Sequence, residues 1–379
     1  MYKTKISTDL IQKNRMFFLK NKLFILVFVV WAISLSFRMS TYDPTMPIVM
    51  DSLNFFSYAI DIHVLGGLPE NYTVTKPGWS ILLAGLFSIF DFSETNSYMQ
   101  LQRITSIIIS SVIIFPLYFL CNIFVEKKYS IIGITLFAFA PRLIENSMYG
   151  ATEPLFILFL TMTILFFLKN SKKSIYISFL IAGISAIIRP EGIFLFLAIS
   201  FLLIFKFKNE KFKFPKYLLA IIIFVIVLLP FALYTEQINP GTSSFSRIIY
   251  SAAQYFQISD EEVYTTFDGN SFIASKISAT TGLEYFGKYL SWVMVPMFII
   301  TAPIGFLLFL KNRSYARISI IVIAITVSIP AFYAYSFPLA ETKYLYYLFP
   351  LFTIFSILPI KLFIEKFQKK NIIIPIVLS

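Results

Sequence analysis

Long apolar blocks separated by short polar connections set the pattern of this chain. A bilayer-spanning helix needs about 17 to 25 mostly apolar residues. The blocks at 22–39, 103–125, 129–145, 151–168, 174–188, 192–206, 216–235, 289–310, 316–335 and 344–363 predict about ten such helices. Two of them, 174–188 and 192–206, are short: at 1.5 Å per residue they reach roughly 21 Å, against a hydrocarbon core of roughly 30 Å. The turn between them, "IRPEG", carries Arg189 and Glu191 and is expected below the membrane surface, in a protein cleft. The plainer reading is that Arg189 snorkels to the headgroups.

The pattern predicts an all-α integral membrane protein, a single polytopic domain over 1–379 with two long loops, 40–102 and 236–288. No internal repeat is visible. "KPGWSILLAGLFSIF" in the first loop is too short to span and suits an interfacial or re-entrant helix. The second loop is rich in Ser, Thr, Gly and acids, and its length suggests a lid or an acceptor-binding segment. A sequon stands at Asn71-Tyr72-Thr73.

Composition agrees: 58% of residues are hydrophobic and 14% charged, with a mean hydropathy of +0.77. That excludes a soluble domain of this size. The net charge of +12 does not point to nucleic acid, because each basic cluster is a short connection between apolar blocks. It reflects sidedness. With the N-terminus inside, Lys3, Lys5, Lys13, Arg15, Lys20, Lys22, "EKK", "KNSKK", "KFKNEKFKFPK", "KNRSYAR" and the basic residues of 361–370 all fall on the inner side, as the positive-inside rule requires. The acids do the reverse: all but Asp9, Glu126, Glu210 and Glu365 fall outside, so chemistry is expected on the outer face. The basic N-terminus followed by "LFILVFVVWAISLSF" has the charge order of a signal peptide without a small-residue cleavage site, and reads as an uncleaved first span. The tail "NIIIPIVLS" is too short to span: either the chain ends on the side where it began, or the sequence is clipped. Cys121 is the only cysteine and His63 the only histidine, which excludes an intrachain disulfide and a His-rich metal site.

The stretch "MDSLNFFSYAID" carries the first candidate chemistry. On a helix, Asp51, Asn54, Tyr58 and Asp61 share one face and Leu53, Phe56, Ile60 and Val64 another, the pattern of an interfacial helix with its apolar side down. Asp51 is then either a functional acid or a helix cap. Glu153, before a long apolar run, fits a favourable position at a helix N-terminus with Pro154 as first helical residue. Glu341 and Lys343 stand at the last outer turn, ahead of Tyr344, Tyr346 and Tyr347, which alone fit an ordinary interfacial tyrosine belt. Arg103 and Arg142 also lie at outer ends of spans. Cations and carboxylates thus gather at one depth, as a site for an anion and a polar group would require.

In order and sidedness, "MDSLNFFSYAID", "KPGW", "LQRITSIIISSVIIFPLYFL", "PRLIENSMYGATEPLF", "IRPEG" and "ETKYLYYLFPLF" resemble the polytopic GT-C glycosyltransferases, in particular prokaryotic enzymes related to protein O-mannosyltransferases and aminoarabinose transferases. The resemblance covers roughly 20–360. It implies a polyprenyl-phosphate sugar donor, inversion at the anomeric carbon, and an acid of the first outer loop as base on an acceptor hydroxyl borne by a protein, lipid or glycan. Asp51 matches that acid, with Asp43 the alternative. Glu153 matches the acidic position of the second outer loop, and Arg189 and Lys343 are candidate contacts to the donor phosphate; Glu153, Tyr58, Glu341 and Tyr344 are candidates to position acceptor or donor. The distant oligosaccharyltransferases hold a divalent metal with two acids flanking one residue; here "GATE" offers Ala151 and Glu153, so one of the two acids is missing, no cofactor is implied with certainty and a divalent metal stays open. Partial burial is expected to raise the pKa of the base. A ligase or polymerase of lipid-linked saccharides shares this pattern. A transporter or flippase fits less well, since its ionisable groups would sit near the midplane.

Overall fold

The computed structural model describes residues 2–45, 48, 50–74, 76–169, 171–208, 213–238, 240, 241, 243, 246, 249, 262–265, 271–274, 279–337 and 341–369. Most of the predicted second loop and the "NIIIPIVLS" tail lie outside them. Helices dominate. The chain runs α1 (Tyr2–Thr41), α2 (Met50–Leu65), α3 (Pro77–Phe90), α4 (Thr95–Val112), α5 (Ile114–Cys121), α6 (Lys127–Ala138), α7 (Pro141–Met148), α8 (Glu153–Leu168), α9 (Lys172–Ile188), α10 (Glu191–Lys206) and α11 (Lys213–Ile238). After a two-stranded antiparallel hairpin, Glu262–Thr265 with Ser271–Ala274, come α12 (Ala279–Met294), α13 (Thr301–Lys311), α14 (Tyr315–Ser336), a 3-10 helix (Thr342–Leu348) and α15 (Phe349–Lys369).

The predicted apolar blocks are largely helical, with the block 289–310 broken by a turn at 295–300, but the count of ten crossings is not established by length. Five helical stretches are long and apolar enough to cross a bilayer: Lys22–Thr41, Thr95–Cys121, Phe214–Ile238, Tyr315–Ser336 and Thr342–Phe367. The α6–α7 pair makes a sixth if its 52° bend is taken as one broken span. Pro141 forces that bend, since it excludes the residue before it from helical geometry and starts a new helix. Helices α8, α9 and α10 have 16, 17 and 16 residues, and at 1.5 Å per residue each reaches only about 24–26 Å. The short helices leave their polar turns inside the bundle: Thr152, Glu153, Arg189 and Glu191 are all buried. Arg189 therefore sits in a protein interior and does not snorkel to the surface.

The two predicted faces of α2 are divided between protein and surface. Ser52, Phe56, Tyr58 and Ala59 are buried, whereas Leu53 and Val64, assigned to the apolar side, are 42% and 74% exposed. The cause is a protein partner: α2 packs on α3, with Phe56 edge-on to Phe87 at 5.9 Å and the Ser80 hydroxyl donating to the Phe55 carbonyl at 2.8 Å. The α2–α3 unit is fixed in turn to the bundle. Trp79 of "KPGW" is fully buried and donates to the Gly150 carbonyl at 3.0 Å. Gln102 donates to the carbonyls of Ser52 and Gly150 at 3.0 and 2.8 Å. Arg103 donates to the carbonyls of Met148 and Asp43, both at 2.9 Å, so its charge holds backbone.

Close helix contacts depend on small residues, as is usual where lipid gives no hydrophobic drive between helices. At Gly305 a Cβ would lie 1.9 Å from the Phe355 carbonyl oxygen, so α13 and α15 meet backbone to backbone there. At Gly85 of α3 nothing lies within 4 Å. Gly305→Ala is expected to destabilise the detergent-solubilised protein by about 1–3 kcal/mol through overpacking. Gly85→Ala should leave the thermal unfolding midpoint unchanged or raise it slightly.

Candidate functional site: a charged cavity at one end of the bundle

A cavity of about 720 Å³ opens where the first loop, the α7–α8 connection, α12 and the 3-10 helix converge. Asp51 and Lys76 line it from the first loop, Arg142, Asn146, Thr152 and Glu153 from α7 and α8, Tyr289 and Trp292 from α12, and Glu341 and Lys343 from the far end of the chain. Tyr335 organises the last group: it stacks on Tyr289 at 5.1 Å and donates to the Glu341 carbonyl at 2.8 Å.

Two cations each hold two carboxylates. Arg189 is 2% exposed. It reaches Glu191 through Nη2 at 2.7 Å and Nε at 3.2 Å, and Glu153 and the Thr152 hydroxyl through Nη1. The sequence produces this locally. Pro190 holds Arg189 extended at the end of α9, and the first turns of α8 and α10 present Glu153 and Glu191. The second cluster lies at the cavity wall: Lys343 Nζ is 2.5 Å from Asp51 Oδ2 and 2.6 Å from Glu341 Oε2. This contact joins residues 292 apart in sequence, and Asp51 therefore serves as neither a free carboxylate nor a simple cap.

Lys76 differs from both. Lys76 lines the cavity, and among the described residues it makes no ion pair or hydrogen bond. Burial, reinforced by the Arg189 guanidinium, pushes it below the ordinary lysine range, while Glu191, Glu153 and Asp51 pull the other way. An ammonium so placed gains a partner when an anion enters. At Asp51, burial pushes the pKa up, but the Lys343 hydrogen bond and charge, with Lys76 and Arg189 behind, hold the carboxyl below the usual range. The Lys343 contact thus reverses the expected rise.

The structure sorts the sequence candidates. Asp51, Glu153, Glu341 and Lys343 meet in one cavity. Arg189 stands behind it with its donors committed to carboxylates, and so does not present itself to a phosphate. Asp43 lies outside the cavity and accepts from the Thr45 amide and hydroxyl at 2.8 and 2.7 Å, closing its own turn. Tyr58 is buried and hydrogen-bonds Tyr234 at 3.2 Å, tying α2 to α11. Tyr344 stacks edge-on to Tyr335 at 6.1 Å and is outside the cavity lining. Lys76, Tyr289 and Trp292 were not singled out by sequence; for Lys76 the signal was its place in "KPGW". The carboxylates do not suit a resident divalent metal. Glu153 is paired with Arg189, Asp51 and Glu341 share Lys343, and among the described residues no three metal-ligating side chains gather.

Removing the buried guanidinium would leave Glu153 and Glu191 unneutralised. Arg189→Gln is expected to cost about 3–5 kcal/mol of stability, read as a lowered unfolding midpoint. Arg142→Gln, which breaks the half-exposed 3.5 Å pair with Glu145, should change it by less than about 1 kcal/mol.

Known proteins show the same architecture. The family model of dolichyl-phosphate-mannose-protein mannosyltransferases matches residues 76–234, starting at Lys76. No curated protein sequence matches the chain. The archaeal oligosaccharyltransferase AglB of Archaeoglobus fulgidus, solved with an inhibitory peptide and a dolichol-phosphate, is similar over 93% of this chain and 51% of its own, with 14% identity and a TM-score of 0.64. A second structure of the A. fulgidus oligosaccharyltransferase, with Zn and sulfate, matches over 91% of this chain and 50% of its own, at 12% identity and a TM-score of 0.62. ArnT of Cupriavidus metallidurans, bound to undecaprenyl phosphate, matches over 89% and 59%, with 13% identity and a TM-score of 0.62. The chain thus spans about half the length of these proteins, and it has the fold of the GT-C membrane glycosyltransferases.

Proposed function

We propose that the protein is a glycosyltransferase that moves a sugar from a polyprenyl-phosphate carrier to an acceptor hydroxyl on the outer face, with inversion and with Asp51 as base. One observation carries the reading: Asp51, a carboxylate, and Lys76, a cation with no counter-ion among the described residues, line the same cavity, in a fold whose solved examples include complexes with dolichol-phosphate and undecaprenyl phosphate. Displacing a phosphate from an anomeric carbon needs a base at the incoming hydroxyl. It also needs fixed positive charge where the leaving oxygen becomes anionic. Asp51 supplies the first, and Lys76, with Lys343 beside it, supplies the second. Arg189 acts behind them, fixing Glu153 at the cavity wall. The outer-face assignment is supported by sidedness: Lys127, Lys169, Lys206, Lys311 and Lys361 all belong to the connections that the threading of the chain puts inside.

Asp51→Asn is expected to lower sugar transfer from membrane polyprenyl-phosphate donors by about 10²–10⁴-fold, the usual scale for a general base. Binding of undecaprenyl phosphate should persist. Full transfer activity in that variant would remove Asp51 from the chemistry. Lys76→Gln is expected to weaken undecaprenyl phosphate binding by about tenfold or more, as loss of one charged hydrogen bond does, and unchanged affinity would place the phosphate elsewhere.

A further inference from the structure

Lys343 is placed to do more than bind. It bridges two carboxylates, Asp51 of α2 and Glu341 just before the 3-10 helix, and its side chain, which lines the cavity, remains 30% exposed. An ammonium has three N–H donors on a flexible stem, and two are occupied here. While Asp51 is ionised, the cluster of Lys343 with Asp51 and Glu341 carries one net negative charge. Protonation of Asp51 makes it neutral and removes the reason for Lys343 to stay on Asp51. Glu341 would keep the lysine tethered at the cavity.

Resting on the function proposed above, we propose that Lys343 is a charge shuttle, which passes from Asp51 to the leaving phosphate as the acceptor proton passes to Asp51. The acceptor O–H bond breaks and its proton goes to the Asp51 carboxylate. The acceptor oxygen forms a bond to the anomeric carbon, and the bond from that carbon to the phosphate oxygen breaks, its electron pair going to the phosphate. The phosphate changes from a singly charged diester to a doubly charged monoester as Asp51 changes from −1 to 0, so the total charge of the site is constant. What moves is the need for the Lys343 ammonium. Lys76, which has no ion-pair partner among the described residues, matches the single charge of the bound donor, and Lys343 matches the second charge that appears on cleavage. The other charged groups around Asp51 are already committed: Glu153 with Arg189 and Glu191 on one side, Arg142 with Glu145 on another. The same contact would keep Asp51 weakly basic in the empty enzyme and strengthen it when a phosphate draws Lys343 away.

A binding cycle with undecaprenyl phosphate, the chemical class of the released carrier, tests this without turnover. The affinity of purified protein in detergent is measured for wild type, Asp51→Asn, Lys343→Gln and the double variant. Asn mimics protonated Asp51, so Asp51→Asn should bind about tenfold tighter than wild type, the scale of one added charged hydrogen bond. In the Lys343→Gln background the same change should give at most the smaller gain that comes from removing a nearby negative charge, leaving a clear coupling between the two sites. Equal tightening in both backgrounds, or none in either, overturns the shuttle while leaving the donor class standing. No binding by any variant overturns the donor class and the shuttle together.

Discussion

A guanidinium inside a helical bundle is stable only if its charge is neutralised and its donors are satisfied, and the Arg189 cluster meets both conditions. Its desolvation is offset by Glu191, which takes two of its N–H groups, and by Glu153 and Thr152 at the start of α8. That pairing ties the first turns of α8 and α10 to the end of α9, and places a rigid polar wall at the depth where three short helices stop. Everything reactive at this end of the bundle is arranged in front of it.

In front of the wall the charges are less settled. Asp51 and Glu341 share one lysine, and Lys76 has no partner among the described residues. A buried pair broken on one side is costly, whereas a half-exposed one rearranges cheaply. The contrast separates the roles of the two clusters: the buried one holds geometry, and the exposed one can exchange partners when an anion or a proton arrives. Lys76 owes its place to its neighbours in sequence, because Trp79 in the first turn of α3 is anchored on Gly150 and holds Lys76, the residue before the helix, against the cavity.

Much of the fold was legible in the sequence, because hydrophobic length and the positive-inside bias act locally along the chain. The depth of Arg189 was legible for the same reason, from two apolar runs too short to cross. Its role was not, since the partner that decides it, Glu153, lies 36 residues away. Asp51 was visible as a candidate, but its environment depended on a residue 292 positions later, and the expected upward pKa shift became a downward one. Which residues of α2 meet protein was hidden for a related reason. Periodicity shows that a helix has two sides, and only the partner, here α3, decides which side is buried. Lys76 stood in a recognised segment, yet one lysine among many gives no sign that it lines a cavity with no counter-ion among the described residues.

The most direct test of the account is a structure of the protein with undecaprenyl phosphate bound. The account requires the phosphate in the cavity, with Lys76 Nζ and Lys343 Nζ within hydrogen-bond distance of its oxygens, Lys343 moved away from Asp51, and the Arg189 cluster unchanged. A phosphate held by Arg189, or one bound outside the cavity with Lys343 still on Asp51, would contradict it.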